Sequence, residues 1–214
     1  MGDLLIVVGL SREARIAAPY GRVTVGAASI GAPRPGTRGL ISFGVCGALD
    51  PTLAAGDLIV ADGVLAGGER LASDPGWANA LRAALPGAGR GDVAAGDAIV
   101  GSPEAKAALR AASGAAIVDM ESHAVARAAR AAGLAFAVVR AVSDTAASAL
   151  PFAAQAGFRP NGEPDGAAVI AALGRRPWEL AALIRTGLDA GKAFRSLERA
   201  ARALTLLPVQ LRPG

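Results

Sequence analysis

The chain has 214 residues, 52% of them hydrophobic, and carries 22 basic against 18 acidic side chains for a net charge of +4 at neutral pH. Gly, Arg and Asp interrupt every apolar run before the ~20 residues that a membrane-spanning helix requires. A single cysteine, Cys46, excludes an internal disulfide, and a single histidine, His123, leaves too few soft ligands for zinc, so neither a metal nor a cofactor is expected.

In chain order, residues 4–8 form a short apolar run closed by Gly9, which reads as a buried strand. The acid that precedes the run argues against a secretory leader and for a cytoplasmic protein. A short strand is predicted near 23–25, and residues 39–43 form a second buried strand ending at Gly44. A third, 57–61, follows the turn at 50–56, and shorter ones are predicted at 93–95, 98–100 and 115–118. Ser102 followed by Pro103 is an N-cap and first-turn pair for a helix through Ala112, and a second helix, 121–132, is stopped by Gly133. The most apolar strand, 135–142, comes next and leads into Ser143 and Asp144.

Helices alternating with buried strands predict an α/β fold whose sheet, parallel or mixed, is covered on both faces. Ligands of such sheets collect at the carboxyl ends of the strands, which places Gly9, Gly44 and the Ser143–Asp144 pair along one rim. Residues 147–166 hold Pro151, Pro160 and Pro164 and read as an irregular loop of a length common in lids and binding loops.

Beyond the loop, Leu180, Leu183, Ile184, Leu188, Phe194, Leu197, Ala201 and Leu204 recur at helical spacing opposite Arg185, Lys192, Arg195, Arg199 and Arg202. One domain is expected over 1–214, with 175–214 a basic amphipathic helical segment that packs on the sheet and keeps a solvated face. From Arg175 onward there are eight basic and three acidic residues, an excess of five that leaves residues 1–174 at minus one. Charge concentrated on such a tail suits an anionic membrane surface at the inner face, and gives no sign of a nucleic-acid partner.

Four motifs occur in order: "FGVCGALDPTLAAGDLIV" at 43–60, "AGDA" at 95–98, "VDME" at 118–121 and "VRAVSD" at 139–144. Together they resemble the purine nucleoside phosphorylase and methylthioadenosine/S-adenosylhomocysteine nucleosidase superfamily over about residues 4–152. The start "GLSREAR" at 9–15 and the basic C-terminal extension are most similar to its hopanoid-associated phosphorylase branch. The resemblance implies a three-layer α/β/α nucleoside phosphorylase-like fold with a central mixed sheet, a homo-oligomer, and cleavage of the N-glycosidic bond of an adenine nucleoside. For the branch, the implied substrate is lipid-linked adenosylhopane, with inorganic phosphate as co-substrate. Soluble nucleosidase or phosphorylase action on methylthioadenosine or other purine nucleosides, and non-catalytic nucleoside binding, are the alternatives.

Breaking a ribosyl–adenine bond makes the sugar oxocarbenium-like while the departing base gathers negative charge, so a proton donor and an anionic sugar cradle are both needed. By resemblance, Asp144 serves N7 of the purine with Ser143 orienting it, and Glu121 accepts the ribose 2′ and 3′ hydroxyls. Asp144 closes an apolar strand, where desolvation would raise its pKa; Glu121 opens a helix, where free amides and the dipole favour the ionised form. The resemblance also puts Met120 beneath the ribose, Ile99 and Val100 against the purine, Phe152 over the base, and Gly44 and Val45 at the substrate. Asp119 matches an acid of the same motif without needing to face the ligand.

The nucleophile is open at this level. Gly9, Ser11, Arg12 and Arg34 are the candidates for a phosphate site, since a glycine turn leaving a strand offers backbone donors beside positive charge. Related phosphorylases, however, carry their phosphate arginine where this chain has Glu13, and a serine where it has Val45. Nucleosidases place a water-positioning glutamate one residue later, where this chain has Ala14, so Glu13 serves only after a small shift. His123 is expected to be structural or at a subunit contact, Cys46 to be a small buried residue, and Arg140, inside an apolar strand, to need a carboxylate or carbonyl partner.

Overall fold

The computed structural model describes residues 3–156 and 165–207. Its strands are β1 (Asp3–Val8), β2 (Arg22–Val25), β3 (Thr37–Ala48), β4 (Leu58–Val60), β5 (Gly63–Ala66), β6 (Glu69–Ala72), β7 (Asp92–Ala95), β8 (Ile117–Asp119) and β9 (Ala135–Asp144). Its α-helices are α1 (Ser11–Ala17), α2 (Pro75–Ala84), α3 (Pro103–Ser113), α4 (Ser122–Ala131), α5 (Phe152–Ala156), α6 (Gly166–Arg175) and α7 (Leu180–Ala201).

All nine strands join one mixed sheet. β3 runs parallel to β1 on one side and to β9 on the other, while β2 lies parallel to β1 at the edge. The far end of β3 pairs antiparallel with β8, and the order continues through β7, β5 and β6, with β4 antiparallel to β9. Alternate residues of the central strands serve opposite cores. Leu4, Ile6, Val8, Ile41, Phe43 and Val139 pack with Trp77 and Leu81 of α2 and with Phe194 and Leu197 of α7. Leu5, Val7, Leu40, Val138 and Val142 pack with Val125, Ala126 and Ala129 of α4 on the other face. Burial on both faces is why these strands read as continuous apolar runs, and each enclosed Leu, Ile or Val contributes ~1.5–3 kcal/mol.

Several elements differ from the sequence expectation. β3 does not end at Gly44 but continues to Ala48, because β9 stays paired with it as far as Gly47 and β8 pairs with its last two residues beyond the end of β1. Residues 98–100 form no strand. The β5–β6 hairpin, turned by Gly67 and Gly68 in left-handed conformation, and helix α2 were not among the expected elements. Helix α2 does carry a start signal, Asp74 accepting from the Trp77 amide with Pro75 in the first turn. The loop after β9 contains the short α5, and residues 157–164 of that expected loop lie outside the described residues.

The amphipathic C-terminal helix is present as α7, but only half of its apolar stripe is covered. Ala193, Phe194, Leu197, Ala200 and Ala201 are buried, whereas Leu180, Ile184 and Leu188 are exposed together with Trp178 just before them. Among the described residues no helix is long and apolar enough to cross a membrane.

Candidate active site

The rim where β1, β3 and β9 end gathers four acids around two enclosed cations. Glu13 is the third residue of α1, and its side chain turns back over the strand-to-helix turn. Its Oε2 accepts the amides of Gly9 and Leu10, each at 2.9 Å, and its Oε1 accepts the amide of Val45 at 2.7 Å. One carboxylate thus ties the β1 turn to the middle of β3, in the manner of the reaching-back half of a capping box. Glu13 is only 1% exposed, and burial pushes its pKa up from 4.5 to about 7 against the lowering effect of Arg140 and the Val45 amide.

Glycines make this approach possible. A Cβ at Gly9 would stand 2.6 Å from Glu121 Oε1, and one at Gly44 would stand 2.6 Å from both Glu13 Oε1 and Arg140 Nη1. Neither position has room for a side chain without dispersing the acids.

Arg140, fully buried in β9, finds the partners that an apolar strand withholds. Its Nε lies 2.7 Å from Asp119 Oδ2, its Nη2 lies 3.2 Å from Glu121 Oε2, and Nη2 also donates to Ser42 Oγ at 2.7 Å. Burial alone would lower its pKa, but Asp119, Glu121 and Glu13 raise it, so the guanidinium stays charged. Asp119 faces inward after all: it accepts the Ser122 amide at 3.0 Å and the Ser122 hydroxyl, which in turn meets Ser42 Oγ at 2.9 Å. Glu121 occupies the N-cap position of α4 but makes no capping bond, and burial raises its pKa, opposite to the direction expected from a helix start. Its side chain points to Arg140, away from the free amides that would have stabilised its charge.

Asp144 ends β9 beyond a bulge, where Cys46 pairs with Val142 and Gly47 pairs with Asp144, leaving Ser143 as the extra residue. Ser143 donates to Asp144 Oδ1 at 2.9 Å and lies 3.1 Å from the Cys46 carbonyl, so the predicted orienting contact is present. The apolar surroundings expected for Asp144 are replaced by an ion pair. Lys106 of α3, fully buried, places its ammonium on Asp144 Oδ2.

The remaining predicted residues divide. Gly9, Gly44 and Val45 lie in the carboxylate cluster through the contacts above. Ser11 is half-buried at the start of α1. Arg12 and Arg34 lie apart from the cluster. Arg12 sits one residue before Glu13, about 100° round the helix, with its guanidinium 4.1 Å over the Phe194 ring, and Arg34 is exposed ahead of β3. Met120, Ile99 and Phe152 are exposed at 37, 41 and 44%, and Phe152 lies beneath the Arg176 guanidinium at 4.5 Å. Val100 lines an open groove of about 570 Å³ with Leu65, Leu109 and Val118, and none of the four acids lines it. His123 is buried, with Nε2 3.3 Å from Asp97 Oδ1, and Cys46 is a buried thiol whose pKa burial raises. No group of three or more His, Cys, Asp or Glu able to hold a metal occurs among the described residues.

The model of the phosphorylase superfamily matches residues 23–175, more than half of the chain. The chain belongs to the phosphorylase superfamily. No curated protein sequence matches it. Among solved structures, an S-adenosylhomocysteine nucleosidase from Streptococcus pyogenes aligns over 98% of this chain and 99% of its own at 21% identity and a TM-score of 0.65. A methylthioadenosine/S-adenosylhomocysteine nucleosidase from Neisseria meningitidis, bound to methylthio-immucillin-A, aligns over 96% and 99% at 18% identity and 0.69. Futalosine hydrolase from Helicobacter pylori aligns over 67% and 88% at 18% identity and 0.57. Identities this low establish the fold, the expected three-layer nucleoside phosphorylase-like arrangement.

Two residues of this superfamily member's rim were not readable as site residues from the pattern. Lys106 lies in an Ala-rich helix where a lone lysine ordinarily marks the solvent side, and nothing in the spacing ties it to β9. Glu13 was legible only as a residue one place out of register. Its position at N3 of a helix, able to reach back to the preceding amides, was the available signal.

Proposed function

We propose that the protein cleaves the N-glycosidic bond of an adenine nucleoside by hydrolysis. The observation that carries the choice of water is the Glu13 carboxylate on the Gly9, Leu10 and Val45 amides. Those amides are the donors an inorganic phosphate would have used, and Arg12 and Arg34 lie away from them. The acids Glu13, Asp119 and Glu121 share Arg140, so a further dianion would enter a region already rich in negative charge.

In this reading Glu121 accepts the ribose hydroxyls and, with its neighbours, favours the cationic sugar of the transition state. Asp144, held by Ser143, delivers a proton to N7 as the C1′–N9 electron pair passes to the purine. Glu13, with a pKa of about 7, takes a proton from the water that attacks C1′. Adenine and the free ribosyl product leave.

For the nucleoside itself we infer a lipid-linked adenine nucleoside, adenosylhopane, on the resemblance of the first loop and the basic C-terminal extension. The exposed Trp178, Leu180, Ile184 and Leu188, flanked by Arg175, Arg176 and Arg185, support contact with a membrane where such a substrate resides. Phosphorolysis is the second reading. It is favoured by the same raised pKa of Glu13, since a neutral carboxyl can donate to an entering phosphate oxygen.

The deciding experiment measures adenine release from adenosylhopane and from methylthioadenosine, each with and without phosphate. Hydrolysis predicts full rates without phosphate and a free reducing sugar, ribosylhopane or methylthioribose, in place of the corresponding sugar 1-phosphate. A strict phosphate requirement would reverse the choice of nucleophile, and faster release from methylthioadenosine would remove the lipid.

A further inference from the structure

We propose that Lys106 is the proton reservoir of Asp144, a positioning residue that recharges the carboxyl during each turnover. The inference rests on the reading of Asp144 as the donor to the departing purine.

Among the described residues, Lys106 and Arg140 are the two fully buried cations, and Lys106 is the one set on the base side of the rim. It stands on the second turn of α3, a helix fixed by the Ser102 cap and Pro103. Its ammonium has three hydrogens and three acceptors: Asp144 Oδ2, the Thr145 carbonyl at 2.8 Å and the Ser148 carbonyl at 3.0 Å. Thr145 and Ser148 are linked through their hydroxyls at 2.8 Å, so both carbonyls belong to one closed turn.

This arrangement remains satisfied on either side of a proton transfer. With the proton on nitrogen, Lys106 donates three hydrogen bonds to a carboxylate and two carbonyls. With the proton on Asp144, the amine keeps two N–H groups for the two carbonyls, and its lone pair accepts from the new carboxyl O–H. No buried polar group loses its partner in either state, so the transfer carries no desolvation penalty from an unpaired donor or acceptor. Ser143 keeps its bond to the other carboxyl oxygen throughout.

A structural staple between α3 and β9 would need the same three acceptors, as any buried ammonium does, but it would not need an acid at the ligand rim as its partner. The transfer sequence balances: the C1′–N9 electron pair goes to adenine, N7 takes the proton from Asp144, and Asp144 takes one from Lys106. The proton lost is recovered from solvent through Asp144, whose side chain is 10% exposed while that of Lys106 is wholly enclosed.

The test compares the full-length wild type with K106M and K106R on two substrates, methylthioadenosine and 4-nitrophenyl riboside. The nitrophenolate leaves without protonation at a ring nitrogen, so it bypasses the reservoir. Both variants are expected to lower kcat for methylthioadenosine about 100-fold. Rates on 4-nitrophenyl riboside should be unchanged, and so should KM for the nucleoside. K106R carries the decision, since a guanidinium retains the charge but does not release its proton. Wild-type cleavage of methylthioadenosine by K106R, or an equal loss on both substrates, overturns the reservoir and leaves a staple. If K106M fails to fold, K106R alone decides by the same criteria. A wild type that cleaves 4-nitrophenyl riboside but neither methylthioadenosine nor adenosylhopane would overturn the reading of Asp144 beneath it, and the reservoir with it.

Discussion

The two halves of the rim solve the problem of buried charge differently. On the sugar side one guanidinium, Arg140, faces three acids, Asp119, Glu121 and Glu13. On the base side one ammonium, Lys106, faces one acid, Asp144, with two carbonyls completing its shell. The first half carries an excess of negative charge, and the acid least served by Arg140 is the one pushed furthest, Glu13 at about 7. The second half is balanced. In the proposed hydrolysis the unbalanced cluster supplies a base poised near neutrality, and the balanced pair a proton donor held in one place.

Removing the shared cation should have the largest effect. Arg140→Met leaves Asp119, Glu121 and Glu13 enclosed without a counter-charge, and the loss of one partner from a buried ion pair costs about 3–5 kcal/mol. Urea denaturation should show that loss at pH 8, with a smaller loss at pH 5, where the remaining carboxyls protonate. Equal stability of the variant and wild type at pH 8 would mean that the cluster is not a coupled unit.

Glu13→Gln separates function from stability. As the base for water, Glu13 must be ionised, so kcat/KM of the wild type should climb as pH rises through about 7, and the variant should lose about 100-fold in kcat together with that limb. The stability effect has the opposite sign. A carboxyl whose folded pKa is raised from 4.5 to about 7 is more willingly protonated in the folded state. Its contribution is therefore intact below pH 4.5 and is lost as pH rises towards 7, by about 3 kcal/mol at ~1.36 kcal/mol per unit. Against the wild type, the Gln variant should have a flatter stability profile over that window and a higher urea midpoint at pH 8. A variant less stable than wild type at pH 8 would show that the Glu13 bonds to Gly9, Leu10 and Val45 outweigh its desolvation.

The contrast also explains how much of the site the sequence disclosed. Asp144, Glu121 and Gly9 stand at ends of elements whose periodicity is plain, so their placement followed from strands that are apolar on both faces, whereas β3 runs on past Gly44. The need of Arg140 for a partner was equally plain, because a charged residue amid Val138, Val139, Ala141 and Val142 has no other way to be buried. What pattern did not contain was the distance between elements. Lys106 reaches Asp144 across 38 positions of sequence, by a side chain that spans from α3 to the end of β9. Glu13 reaches Val45 across 32, through a backbone turn whose register depends on Gly9 and Gly44. The placement of Arg12 was hidden for a related reason: an arginine near a glycine turn in sequence projects about 100° round the helix from Glu13 and lies over the Phe194 ring. Likewise the helical stripe of α7 was correctly periodic, yet periodicity alone does not tell which stretch of a long helix meets the sheet, and its first turns do not.

The smallest expected effect tests whether the base side is as rigid as its balance implies. Ser143 is the extra residue of the bulge, and its hydroxyl holds the oxygen of Asp144 that Lys106 does not. Replacing it with alanine removes one neutral donor worth about 1 kcal/mol, enough to slow turnover about fivefold by letting the carboxyl rotate about its remaining contact. Because the ion pair with Lys106 persists, stability should change little and KM less than kcat. The same substitution in a K106R background distinguishes two accounts of the pair. If the hydroxyl and the ammonium fix one carboxyl orientation jointly, the combined loss should exceed the product of the single losses, since Asp144 then has no oriented oxygen. Independent, multiplicative losses would mean that the bulge backbone alone aims Asp144, and that its two side-chain partners act on its charge and not on its direction.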